Sequence, residues 1–195
     1  MALRLAIFAS HSGTTAQAVI DALRDGRIDG EAVLVICNNP DAAVLGRAAA
    51  AGIPSVVLNS RTHPDPAALD AAVLAAVRGA GATHILLAGY MKKLGAPTVA
   101  AFEGRVFNSH PALLPAFGGQ GMYGDRVHAA VLAADIAQTG ATVHRVTNDY
   151  DAGEIVAQVE VPVLADDDVA ALGERVRAAE RALLIEVLAE IARAG

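Results

Sequence analysis

Short apolar runs alternate along the first half of the chain with stretches whose apolar residues recur at helical spacing. Leu3 to Ala9 reads as a buried strand that breaks at Ser10-His11-Ser12-Gly13-Thr14-Thr15, and Ala16, Val19, Ile20 and Leu23 then mark a helix. The alternation repeats: a strand over Ala32 to Ile36, a helix from Asp41 to Ala51 ended by Gly52, and a strand over Pro54 to Leu58. A polar loop, Asn59 to Asp65, precedes a helix from Pro66 to Val77 and a fourth strand from Thr83 to Ala88. Arg105-Val106-Phe107 reads as the end of a further strand. Asp125 to Ala134 reads as a helix carrying His128, after a glycine-rich loop from Phe117 to Gly124 that suits either a lid or a surface excursion. Ala141 to Thr147 alternates like a half-exposed strand, Glu154 to Val163 is another, and Asp166-Asp167-Asp168 opens a last helix with a stripe of Val169, Leu172, Val176, Leu183, Val187 and Ile191.

Strands that alternate with helices require right-handed crossovers and a parallel sheet, with ligands at the strands' C-terminal edge. The expected fold is α/β, a doubly wound, mostly parallel sheet with an antiparallel C-terminal edge. The first turn, the segment from Gly89 and the segment from Asn108 all fall at that ligand-binding edge.

Length and charge narrow the function. The 195 residues form one domain by prior, and 54% hydrophobic content suffices for a single core. A net charge of -6 argues against nucleic acid as a partner, and no apolar run approaches membrane-spanning length. The N-terminal apolar run is too short for a signal-peptide core, and the expected location is the cytoplasm. The single cysteine, Cys37, excludes an internal disulfide and reads as an inert strand-end thiol, and no Cys/His cluster has zinc spacing. The only lysines are Lys92 and Lys93, so an anionic ligand would need helix N-termini, that pair or single arginines.

The chemistry centres on Asn108-Ser109-His110-Pro111-Ala112-Leu113-Leu114-Pro115. In extended backbone Asn108 and His110 project to one side, so an amide and an imidazole face one spot. Such a pair suits reaction at a carbonyl carbon: the amide donates to a developing oxyanion and the imidazole moves the nucleophile's proton. A turn-capping Asn and a surface His would satisfy the same letters. The turn Ser12-Gly13-Thr14-Thr15 fits a phosphate seat or a plain capped helix start. Glu180, on or beside the last helix's stripe, needs a partner: Arg177 on the same helix, or a ligand amine or sugar hydroxyl. His128 and His144 read as structural.

In order along the chain, Ser12-Gly13-Thr14-Thr15, Cys37-Asn38-Asn39-Pro40-Asp41-Ala42, Leu87-Ala88-Gly89-Tyr90-Met91, N-S-H-P-A-L-L-P at 108 to 115, G-A-T-V-H at 140 to 144 and Asp151-Ala152-Gly153 resemble the phosphoribosylglycinamide formyltransferases. The resemblance covers nearly the whole chain. It implies a single formyltransferase domain over 1–195, with phosphate and substrate binding in the N-terminal half and catalysis and folate binding in the C-terminal half. The implied reaction is formyl transfer from 10-formyltetrahydrofolate to phosphoribosylglycinamide in de novo purine synthesis, with no metal, only small-molecule substrates, and a homodimer left open. By the same resemblance Asn108 would hold the formyl oxygen, His110 would be the acid or base, and Asp151 would orient His110 and raise its pKa. Gly13, Thr14, Thr15 and Glu180 would bind the phosphoribosyl substrate, and Met91, Lys92, Lys93, Leu94 and Asn108 would line the folate pocket.

Competing readings are formyltetrahydrofolate deformylase, another folate-dependent formyltransferase such as the methionyl-tRNA enzyme, and a non-catalytic nucleotide-binding module. A metal site built from His110, His144 and Asp151 is a further alternative, without a tight ligand pair to support it.

Overall fold

A computed structural model describes residues 2–194. Seven strands form one sheet in the order β3-β2-β1-β4-β5-β6-β7: β1 (Leu3–Ala9), β2 (Gly30–Cys37), β3 (Ser55–Val57), β4 (His84–Leu87), β5 (Val106–His110), β6 (Gln138–Arg145) and β7 (Ile155–Pro162). Six helices accompany them: α1 (Thr14–Arg24), α2 (Ala43–Ala50), α3 (Pro66–Gly79), α4 (Ala96–Ala101), α5 (Asp125–Ala133) and α6 (Val169–Ala194). The expected mostly parallel sheet with an antiparallel C-terminal edge is what the chain forms: β1 runs parallel to β2 and β4, and β6 is antiparallel to β7. No described helix is long and apolar enough to cross a membrane.

The chain divides into two compact units. The first, Met1–Phe107 with Leu188–Gly195, is cored by the continuous apolar strands that a sheet buried on both faces requires: Leu5, Ile7, Phe8, Val35, Ile36, Ile85 and Leu86 are essentially inaccessible. The second, Asn108–Val187, packs Val127 and Val131 of α5 and Leu172 and Val176 of α6 against Ala141 of β6 and Val161 of β7.

Two elements differ from the sequence expectation. β5 does not end at Phe107 but continues through His110, so Asn108 and His110 are strand residues. α4 was not anticipated, because its six residues are too few to display a helical period. The remaining boundaries agree within a few residues. At α3, Asp65 caps the helix by accepting from the N–H groups of Ala67 and Ala68, with Pro66 at the first position, where its missing N–H costs nothing.

Candidate active site

The C-terminal half of the Asn108–Pro115 segment is anchored. The Thr142 hydroxyl donates to the Ala112 carbonyl at 2.7 Å and accepts from the Leu114 N–H at 3.0 Å, while Gln158 donates to both the Leu114 carbonyl and the Thr142 hydroxyl. The segment is thereby tied to β6 and β7, and proline at 111 keeps it from coiling into a helix. Neither Thr142 nor Gln158 was expected to matter.

Asp151 reaches the same place from the turn between β6 and β7. It adopts a left-handed backbone conformation, φ 52°. Gly153, two residues on, is required there: a Cβ at that position would collide with the Arg145 carbonyl. This steric demand explains the D-x-G spacing. The Asp151 carboxylate stands between two imidazoles, with Oδ2 3.6 Å from His110 Nδ1 and Oδ1 3.4 Å from His144 Nε2. The Gly119 N–H donates to Oδ2 at 2.9 Å, so the glycine-rich loop closes over the carboxylate rather than leaving as a surface excursion.

Hydrogen-bond direction assigns the ring protons. His110 Nε2 lies 2.8 Å from the Phe117 carbonyl, which can only accept, so Nε2 carries a proton and Nδ1 of the neutral ring faces Asp151. The imidazole is thus held on its Nε2 side by the loop's main chain, while Asp151 stands 3.6 Å from Nδ1 on the other. His144 Nδ1 lies 3.0 Å from the Arg145 carbonyl and is protonated by the same logic. Its Nε2, 3.0 Å from Asn108 Nδ2, then accepts one amide hydrogen and leaves the second available. His144, read from the sequence as structural, belongs to the site. A signal was present: Thr142 and His144 are two apart on one strand and share a face, as Asn108 and His110 do.

Burial modifies the expected electrostatics. His110 is 3% exposed, and loss of water pulls its pKa below 6.5 despite the opposing pull of Asp151 and the Phe117 carbonyl. The expected upward pull of Asp151 is present, but burial outweighs it. For Asp151 burial works upward, yet the His144 contact, the Gly119 N–H and the two imidazoles together hold the carboxyl below its usual value. His110, His144 and Asp151 do come together, but among the described residues no group of three or more His, Cys, Asp or Glu is arranged to hold a metal ion.

The other expected residues lie as follows. Gly13 is the N-cap of α1, with φ 66° and no side-chain cap, so the capped-start alternative does not hold and the first N–H groups of α1 have no side-chain acceptor. A Cβ at Gly13 would strike Val44 of α2. Ser10 ties this turn to the loop after β4: its N–H donates to the Gly89 carbonyl, its hydroxyl donates to Asn38 Oδ1 at 2.5 Å and accepts from the Met91 N–H at 2.8 Å. Met91 is 40% exposed, Lys92 and Lys93 are exposed, and Leu94 is buried. Glu180 is buried and bonded to Ser109, not to Arg177. His128 is buried with Nδ1 unpaired, and burial and the nearby Arg177 lower its pKa. Cys37 is a buried free thiol at the end of β2.

The chain is similar to known proteins over most of its length. A family model described as formyl transferase matches residues 3–188. A chloroplastic phosphoribosylglycinamide formyltransferase of Arabidopsis thaliana is 38% identical over 189 residues, 96% of this chain and 65% of that protein. The phosphoribosylglycinamide formyltransferase of Bacillus subtilis is 33% identical over 177 residues, 91% of this chain and 88% of that protein. The crystal structure of glycinamide ribonucleotide transformylase 1 from Symbiobacterium toebii superposes with a TM-score of 0.93 at 36% identity, over 99% of this chain and 89% of that one. The chain thus spans about two thirds of the Arabidopsis relative and, in the human trifunctional purine biosynthetic protein, 18% of the length.

Proposed function

Because this chain belongs to the formyl transferase family, we propose that it transfers a formyl group from 10-formyltetrahydrofolate to the glycinamide amine of 5'-phosphoribosylglycinamide, a step of de novo purine (IMP) synthesis. The observation that carries the reading is the run of contacts from the Asn108 amide through His144 and Asp151 to His110, which gathers an oxyanion donor and a proton carrier. 10-Formyltetrahydrofolate, when bound, supplies the activated formyl carbon.

The residues then divide the work. The amide hydrogen of Asn108 that His144 does not take serves the formyl oxygen as negative charge develops there. As the amine nitrogen bonds to the formyl carbon and the carbon's bond to the donor nitrogen breaks, neutral His110 takes the amine's proton and returns one to the departing nitrogen. That proton lands on Nδ1, because Nε2 already holds one for the Phe117 carbonyl, and Asp151 stabilises the imidazolium. Burial suits this role by keeping His110 in its base form at neutral pH. Gly13, Thr14 and Thr15 seat the phosphate on the uncapped N–H groups of α1, and Glu180 receives hydrogens of the same substrate. Met91, Lys92, Lys93, Leu94 and Asn108 contact the folate, with Met91 offering apolar surface to a ring.

On this reading 1–195 is a single formyltransferase domain, the N-terminal half binding the phosphate-bearing substrate and the C-terminal half carrying catalysis and folate contacts. It works in the cytoplasm on small molecules, without nucleic-acid or membrane partners, alone or as a homodimer. The test is an absorbance assay of purified protein with the formylfolate donor and the phosphoribosyl acceptor, run beside donor alone. Turnover that requires the acceptor is expected. Equal donor consumption without it overturns the reading in favour of a deformylase.

A further inference from the structure

Ser109 lies between Asn108 and His110, and strand alternation turns its side chain away from the face those two share. Its hydroxyl donates to Glu180 Oε1 on α6 at 2.6 Å, and each residue is 9% exposed. Nearby arginines do not form ion pairs with this acid. Arg177 is 3.6 Å from Asp125 and 3.3 Å from Glu174, and Arg181 is 3.5 Å from Glu174. Ser109 is the one hydrogen-bond partner of the Glu180 carboxylate among the described residues, which leaves Oε2 uncommitted.

We propose that Ser109 is a positioning residue for the acceptor substrate, its hydroxyl holding the Glu180 carboxyl in the orientation that presents Oε2 to the substrate's hydroxyl or amine hydrogens. The proposal rests on the reading of Glu180 as an acceptor-binding group. With Oε1 engaged by the Ser109 hydroxyl, Oε2 is the oxygen left to accept from a polar ligand.

The charged surroundings of Glu180 make the idea testable by pH. On α6 these are Arg177 and Arg181, with Glu174 paired to both; on α5 they are Asp125 and His128, which interact with Arg177. Burial pushes the Glu180 carboxyl above 4.5, while the Ser109 hydroxyl and the two arginines hold it down. Removing the hydroxyl takes away one restraint, so Glu180 gains a proton at higher pH and its grip on the substrate weakens there.

Steady-state kinetics with Ser109→Ala, Ser109→Thr and Glu180→Gln, varying acceptor at saturating donor from pH 5.5 to 8.5, tests this. Ser109→Ala is expected to raise acceptor KM about tenfold or more at neutral pH, the size of a lost hydrogen bond to a charged group, with donor KM and kcat little moved. Its acceptor KM should begin to climb at higher pH than in the parent protein, and Ser109→Thr, which keeps the hydroxyl, should restore both. An unchanged acceptor KM and pH profile in Ser109→Ala, beside a raised KM in Glu180→Gln, overturns the role of Ser109 and leaves the acceptor site standing. An unchanged KM in Glu180→Gln removes the acceptor reading of Glu180 itself. If Ser109→Ala does not fold, Ser109→Cys, whose thiol is a poor donor of similar size, serves in its place and is held to the same two outcomes.

Discussion

His110→Ala removes the group that carries the proton, and Asp151→Asn removes the charge that stabilises it once it has arrived. Each is expected to lower kcat by about 10²- to 10⁴-fold, the usual range for a general acid or base, with circular dichroism unchanged. Parent-like turnover in either excludes it from the chemistry. His144→Phe keeps the ring's bulk but leaves the Asn108 amide without its 3.0 Å acceptor. A kcat loss of about tenfold or more, with both KM values little changed, is expected if His144 orients Asn108, because one oxyanion donor is worth roughly 3–4 kcal/mol and misaiming forfeits part of it. The rate should fall with acid as His110 becomes protonated. Since burial lowers its pKa, the midpoint of that fall in kcat/KM should lie below 6.5, and a midpoint at or above 6.5 contradicts the burial argument. The trio of Asn108, His110 and Asp151 was legible in the sequence as letters. The roles of the Phe117 carbonyl and the Gly119 N–H were not, because main-chain atoms leave no trace in residue type.

At the level of elements, the hairpin between β6 and β7 aims Asp151. Gly153→Ala is expected to displace that turn, since the new methyl meets the Arg145 carbonyl, and to reduce kcat as Asp151→Asn does while also lowering the melting temperature. Parent-like kcat in Gly153→Ala separates the turn from the chemistry. Packing makes a different demand on α6. Leu172 is wholly buried against α5 and β7 neighbours, and Leu172→Ala should cost about 2–5 kcal/mol in urea unfolding. Helical and strand periods made most elements visible, and the apolar stripe of α6 pointed correctly to Leu172 and Val176. Of the two partners the sequence offered Glu180, the pair with Arg177 that spacing along one helix favours does not form, because Asp125 on another helix and Glu174 hold that arginine. Contacts between distant segments are what a local pattern does not encode.

Taken whole, the protein balances buried titratable groups of opposite tendency. His110 and His128 are both held below 6.5, so the unfolded chain binds more protons than the folded one as pH falls past 6.5, and stability drops in that window. Glu180, held above 4.5, contributes the opposite slope between 4.5 and its raised value, because there the folded chain binds the extra proton. Asp151 adds stability above the usual carboxylate value of 3.8 that is lost as pH falls through its lowered one. Two imidazoles against one carboxyl give a net expectation: the melting temperature declines from pH 7 toward pH 5, and His128→Gln shallows that decline without touching the proton carrier. A decline of equal slope in His128→Gln removes His128 from the balance. The fold as a whole was the most legible property, since alternating strands and helices leave few ways to build a sheet.

The loop from Phe117 to Gly124 grips the imidazole through a carbonyl oxygen and the carboxylate through an amide hydrogen, neither of which belongs to a side chain. What the loop's residues contribute is therefore the backbone path they permit, and that path asks for glycine at 119, 121 and 124, where φ is positive. A side chain at position 119, where φ is 97°, would bend the main chain off that path and withdraw the hydrogen that Asp151 holds.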